Sequence, residues 1–183
     1  KLTNLKESLI IKTENLDQRI TMSRNKFFLL LFCCSLFFSC DEKREYDSYV
    51  SFPNNAWNKE NKVAFEFSVE DTISKKNVFI NIRNNNDYEY SNLFLITNLK
   101  FPNGQEIVDT LQYEMADKTG KFLGTGFTEI KENKLFYKEN KIFPTSGTYK
   151  FEISQAMRKS GAVEGIEELN GITEVGFRIE KTN

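Results

Sequence analysis

Histidine is absent from this 183-residue chain. That removes the commonest metal ligand, the usual general base near neutral pH, and every Ser-His-Asp or Cys-His arrangement. Cysteine is scarce, at three, and Cys33 and Cys34 lie side by side in an apolar run. Proline (three) and glycine (nine) are few while aromatic residues make up 14% of the chain, so extended disorder is not expected. Clustered positive charge is missing too. From Asp41 onward, 19 Lys plus Arg face 23 Asp plus Glu, a net of −4, with the signs interspersed. Binding to a phosphate backbone needs a concentrated basic footprint, so nucleic acid is excluded as a partner. With so many acidic residues, pairs such as Asp109 with Glu114 or Glu129 with Glu132 arise by chance and give no support to a glycosidase. Gly124-Thr125-Gly126 lacks the third glycine and the helix of a phosphate-binding loop, and residues 84–87 lack the acidic spacing of a calcium loop. No cofactor, metal or catalytic residue is expected, and the chain reads as a non-enzyme.

A hydrophobic run long enough to span a bilayer is also missing. The longest, residues 27–38, covers about a dozen positions where a helix needs ~20. Arg24 and Lys26 precede it, and Ser39 and Cys40 end it. A short basic patch, an apolar core and a small residue before cysteine make a bacterial lipoprotein signal peptide, cleaved before Cys40. Cys40 then becomes the mature N-terminus, with lipid on its sulfur. Cleavage removes Cys33 and Cys34, so no disulfide forms within the mature chain, and roughly 145 residues must be stabilised by burial alone. Residues 1–21 precede Met22 and read as an upstream translated extension, residues 22–39 as the signal peptide, residues 40–47 as lipidated N-terminus and charged tether, and residues 48–183 as one domain.

Within that domain the hydrophobic period is two nearly everywhere. Val63, Phe65, Phe67 and Val69 alternate with Ala64, Glu66 and Ser68, and Val78, Ile80 and Ile82 alternate with Phe79, Asn81 and Arg83. Further strands are expected over residues 93–99, 106–113, 122–130, 135–143, 148–153 and 172–179. Turns separate them: the Asn-rich residues 84–87, Phe101-Pro102-Asn103-Gly104 and Pro144-Thr145-Ser146-Gly147. The broken alternation between Ile172 and Val175 marks a strand start or a bulge near Gly176. The glycine pair at 124 and 126 suits a bulge or a close backbone approach. Eight to nine short strands without a helical period predict an all-β fold, a single antiparallel β-sandwich of immunoglobulin-like or jelly-roll-like type. Helix is limited to a turn at residues 155–159 or 166–169. Trp57, in a polar segment, is either a core filler or an exposed platform for sugar rings or a partner. Tyr88 and Tyr90 flank Glu89 beside a turn and are candidate binding residues at a domain edge.

Several motifs, in order along the chain, resemble the gliding-motility lipoprotein GldH family of Bacteroidota-type bacteria. They are Pro53-Asn54-Asn55-Ala56-Trp57, Ile80-Asn81-Ile82-Arg83-Asn84-Asn85-Asn86-Asp87-Tyr88, Tyr90-Ser91-Asn92-Leu93-Phe94-Leu95 and Phe101-Pro102-Asn103-Gly104. Tyr113-Glu114-Met115-Ala116-Asp117, Leu123-Gly124-Thr125-Gly126-Phe127, Gln155-Ala156-Met157-Arg158 and Gly171-Ile172-Thr173-Glu174-Val175-Gly176-Phe177-Arg178-Ile179 complete the set. The resemblance implies a lipid-anchored envelope protein needed for gliding, acting with the machinery that moves and secretes adhesins. Its partners would be the membrane, through the lipid on Cys40, and other envelope proteins of the gliding and type IX secretion apparatus. It implies an outer-membrane location, and it carries over no catalytic residue. The competing reading is a surface lipoprotein that binds or processes glycans, for which an exposed Trp57 would be the signature.

Overall fold

The computed structural model describes residues 41–182. Cys40, the signal peptide and the upstream extension lie outside the described residues. Ten strands are formed: β1 (Arg44–Ser51), β2 (Ala56–Asn58), β3 (Val63–Val69), β4 (Lys76–Asn84), β5 (Asn92–Lys100), β6 (Glu106–Glu114), β7 (Lys131–Lys141), β8 (Gly147–Gln155), β9 (Glu168–Asn170) and β10 (Ile172–Lys181). One sheet runs β1-β10-β4-β7, the second β3-β8-β5-β6, and β2 pairs with β9. All pairings are antiparallel. With β2 and β9 set aside as a small cap, the order of the other eight strands is that of a jelly roll, two interleaved Greek keys, so the immunoglobulin-like alternative is not the one adopted.

Alternation decides which face each strand buries. On β4 Val78, Ile80 and Ile82 point inward and on β3 Val63, Phe65 and Phe67 do the same. Phe177 of β10 lies between the sheets, its ring 5.9 Å from Phe65, 5.3 Å from Phe67 and 4.3 Å from Phe151. The hairpin from β5 to β6 turns where Pro102-Asn103-Gly104 places it: Gly104 takes a φ of 84° and its N–H donates to the Phe101 carbonyl. The register of β10 on β4 slips between Ile172 and Glu174 and runs regularly through Gly176, so the broken alternation marks the strand's start and not a bulge near Gly176.

Four expectations are corrected. Strand β1 starts at Arg44, inside the stretch read as tether, because Tyr46 and Val50 reach the core and the backbone pairs with β10. Residues 122–130 form a connection held by single bridges, since the two glycines interrupt the ladder. Strand β7 instead takes Lys131–Lys141. No helix forms at 155–159 or 166–169: residue 155 ends β8, and Glu168–Asn170 pairs with Ala56–Asn58, burying Leu169 against Trp57. Pairing with β2 outweighs the weak local helix preference there.

The topology divides the connections unequally. At the end where β1 starts, the near end, residues 70–75, 101–105 and 142–146 make short turns. At the far end residues 52–62, 85–91, 115–130 and 156–171 make four longer connections, two of which contribute the β2–β9 cap.

Candidate functional site

The outward face of the sheet containing β10 carries a continuous polar layer. Arg83 of β4 is bound by Glu132 of β7 (Nη2 to Oε2, 3.2 Å) and by Glu174 of β10, with its guanidinium 4.4 Å above the Tyr49 ring. Tyr49 donates to Glu132 (2.9 Å) and accepts from Asn81 (2.8 Å). Burial and the Glu132 carboxylate push the Tyr49 phenol up to about 12. Gly176 makes this packing possible, because a Cβ there would lie 2.6 Å from the Tyr49 ring. Lower on the face Arg178 pairs with Asp47 (2.8 Å) and Glu180, and Lys134 pairs with Glu180 (2.7 Å). Lys134 and Arg178 hold the Glu180 carboxyl below its usual range against the opposing effect of burial, which is the largest single influence. Most charges on this face are already matched in place, so it offers a partner little unsatisfied chemistry.

The far end is different. Tyr88 is buried, and its hydroxyl donates to the Asn92 carbonyl (2.7 Å). Burial raises its phenol far above the ordinary value. Trp57 is fully buried, stacked on Phe52 with ring centroids 5.3 Å apart, and its Nε1–H donates to the Asn61 carbonyl (2.8 Å). Neither Trp57 nor Tyr88 is a surface residue, which corrects both as binding candidates and removes the signature of the glycan reading. Trp57 is buried because β9 pairs with β2 and closes over it. Tyr90 is half-buried, packs edge-on against Tyr88 (5.8 Å), and borders a shallow groove of about 410 Å³ with Lys159, Glu164 and Glu168.

One far-end feature was missed in the sequence. Leu123, Phe127, Ile130 and Val163 expose apolar side chains there, and Phe127 is fully exposed. The segment carrying Phe127 is closed by Thr125 and Glu132, whose backbones exchange two hydrogen bonds (2.9 and 2.8 Å). Inside it, Lys131 Nζ donates to the carbonyls of Gly126 (2.8 Å) and Thr128 (3.0 Å). Gly124 lets the segment sit against buried Asn133, since a Cβ would come within 2.9 Å of its Oδ1. Asn133 in turn donates to Asn84 Oδ1 (2.9 Å) and the Ile82 carbonyl (3.2 Å). Phe127 is thus an apolar side chain presented on a braced loop. The signal was present in Gly-Thr-Gly-Phe, where the glycines announce close packing and the aromatic has no alternating partner.

Among the described residues no group of acidic or sulfur side chains is arranged to hold a metal. The pair Asp109 and Glu114 is separated by alternation onto opposite faces of β6: Asp109 turns inward to accept from Tyr137 (2.7 Å) while Glu114 turns out. Glu132 is committed to Arg83 and Tyr49. Nor is any described helix long and apolar enough to cross a membrane.

Residues 44–179 match the GldH lipoprotein family. The chain belongs to that family. It is 56% identical over 156 residues to the gliding motility lipoprotein GldH homolog of Christiangramia forsetii, covering 85% of this chain and 95% of the relative. To the gliding motility lipoprotein GldH of Flavobacterium johnsoniae it is 50% identical over 153 residues, covering 84% and 94%. Among solved structures, the VP2 subviral particle of infectious bursal disease virus aligns at a TM-score of 0.40 and 14% identity, covering 78% of this chain and 34% of that one. GldH relatives are lipoproteins named for gliding motility, and theirs is not an enzyme family. They support a lipoprotein involved in gliding motility, a membrane-anchored protein of the cell envelope.

Proposed function

We propose that this chain is acylated on Cys40 after removal of residues 22–39, stands on the outer membrane, and docks without catalysis onto other envelope proteins of the gliding and adhesin-secretion machinery. The observation that carries the reading is the asymmetry of the sandwich. Only residues 41–43 separate Cys40 from β1, a reach of roughly 14 Å at full extension, so a lipid on Cys40 would hold the near end close to the bilayer. The long connections and the braced Phe127 then face away from it. An exposed aromatic on a loop braced by hydrogen bonds is the type of side chain enriched at protein interfaces. Several acyl chains would make the attachment effectively permanent where one is marginal.

A photo-crosslinking residue placed at position 127 in intact cells should yield adducts with envelope proteins, while one at Thr148, near the other end, should not. Cys40→Ser should move the protein out of the membrane fraction and stop cell spreading. Phe127→Ser should impair spreading with the protein still anchored and folded. Normal spreading in both variants, with no adducts at 127, would sink the reading.

A further inference from the structure

We infer that the cavity between the free edges of β6 and β7 is a binding site for a small amphiphilic monocarboxylate, with its hydrocarbon part inside and its carboxylate at Lys141. The two edge strands belong to different sheets and share no ladder. Toward the far end two tyrosines bridge them: Tyr113 donates to the Phe136 carbonyl (2.8 Å) and Tyr137 to Asp109 (2.7 Å). Toward the near end the strands part, leaving a cavity of about 190 Å³ walled by Val78, Leu99, Ile107, Phe143 and Phe177. A dry apolar cavity of ~150 Å³ in another protein already accepts benzene, so this one has room for a single ring or a short chain.

The rim gives the ligand its sign. Lys138 and Lys141 both stand on it, but they differ. Lys138 is neutralised by Asp109, Nζ to Oδ2 at 3.1 Å. Lys141 has no carboxylate within ion-pair distance among the described residues, and its nearest recorded partner is the face of the Phe101 ring at 5.6 Å. Half-burial, and secondarily the Lys138 charge, lower its affinity for the proton by more than the Asp109 carboxylate raises it. A carboxylate arriving at the rim would give Lys141 the direct ion pair that Asp109, already bound to Lys138, does not make with it, and its apolar body would fill space that is otherwise poorly packed. A neutral ligand of the same shape gains only the second of these.

This site is independent of the anchor and of docking at the far end. The test uses the full chain in nanodiscs of zwitterionic lipid, with empty discs as blank, and saturation-transfer NMR of phenylacetate against the isosteric phenylacetamide. Phenylacetate should bind at least tenfold more tightly than the amide. Lys141→Met, which keeps the apolar stem, should reduce that preference to near unity, and Ile107→Trp, which fills the cavity, should abolish binding of both. Equal binding of acid and amide to the unaltered protein, or no binding of either, overturns the inference without any variant. Undiminished binding by Ile107→Trp, with its β-sheet circular dichroism unchanged, overturns the location.

Discussion

Replacing Trp57 by alanine tests whether the chain's only tryptophan is a structural residue. Its indole is fully buried, stacked on Phe52 with an interplanar angle of 15°, paired across β2 and β9 with Leu169, and bonded through Nε1 to the Asn61 carbonyl. Removing a buried aromatic ring costs ~3–5 kcal/mol, and the lost hydrogen bond adds about 1 kcal/mol if the Asn61 carbonyl finds no substitute. A loss of about 4 kcal/mol would lower Tm by roughly 15 °C in a domain of this size. Trp57→Phe keeps the ring against Phe52 and gives up the bond, so about 1–2 kcal/mol is expected of it. Urea unfolding followed by far-UV circular dichroism is the suitable assay, because both variants abolish tryptophan fluorescence. In the unaltered protein that fluorescence should be blue-shifted and protected from iodide. A loss in Trp57→Ala below about 0.5 kcal/mol, or emission typical of water-exposed indole, would refute the reasoning and restore Trp57 as a surface platform.

Gly171 adopts a φ of 83°, and a Cβ there would lie 2.1 Å from the Tyr88 backbone nitrogen; Gly161 adopts 79° with open space around it. Gly171→Ala should therefore lower the unfolding free energy from urea titration by about 3 kcal/mol or more, and Gly161→Ala by only about 1 kcal/mol, so equal losses would show that the clash is relieved. Tyr49 and Tyr113, both pushed by burial from 10.0 to about 12, remain neutral in the folded state after their unfolded counterparts have ionised. Their contribution is intact below pH 10 and is lost as pH rises toward 12; Tyr49→Phe should flatten that decline in a stability-versus-pH series. Phe127→Ser, at a fully exposed position, should leave the unfolding free energy within about 0.5 kcal/mol of the unaltered protein while weakening the proposed docking.

Where a strand buries one face, the sequence was readable. Val63–Val69 and Glu106–Glu114 fall within a residue of the alternating runs, and the Pro102-Asn103-Gly104 hairpin sits where its turn chemistry requires. The Asn cluster is a turn in which Asn85 Oδ1 accepts from the Asp87 N–H (3.0 Å). The short cap was not readable, because three-residue strands carry no period: β9 exists only because β2 is beside it. The same pairing hides Trp57, whose polar flanks suggested exposure. Strand β1 was obscured by its charges, since Asp47 and Arg44 decorate a strand whose inward residues are only Tyr46, Ser48 and Val50. The site was harder still. Family membership follows from motifs spread along the chain, but the presentation of Phe127 depends on Lys131 folding back onto two carbonyls, a tertiary arrangement that no periodicity encodes.

Strand β1 lies at the edge of its sheet, antiparallel to β10, with partners running from Arg44 opposite Glu180 to Ser51 opposite Glu174. Tension entering at Arg44 and leaving through the far loops would run along the strand axis. The ladder bonds stand perpendicular to that axis, so they would be sheared together rather than peeled one at a time. If the proposed anchoring and docking hold, β1 is loaded in the direction in which its ladder resists best, whereas attachment through the C-terminal end of β1 would let the same strand unzip.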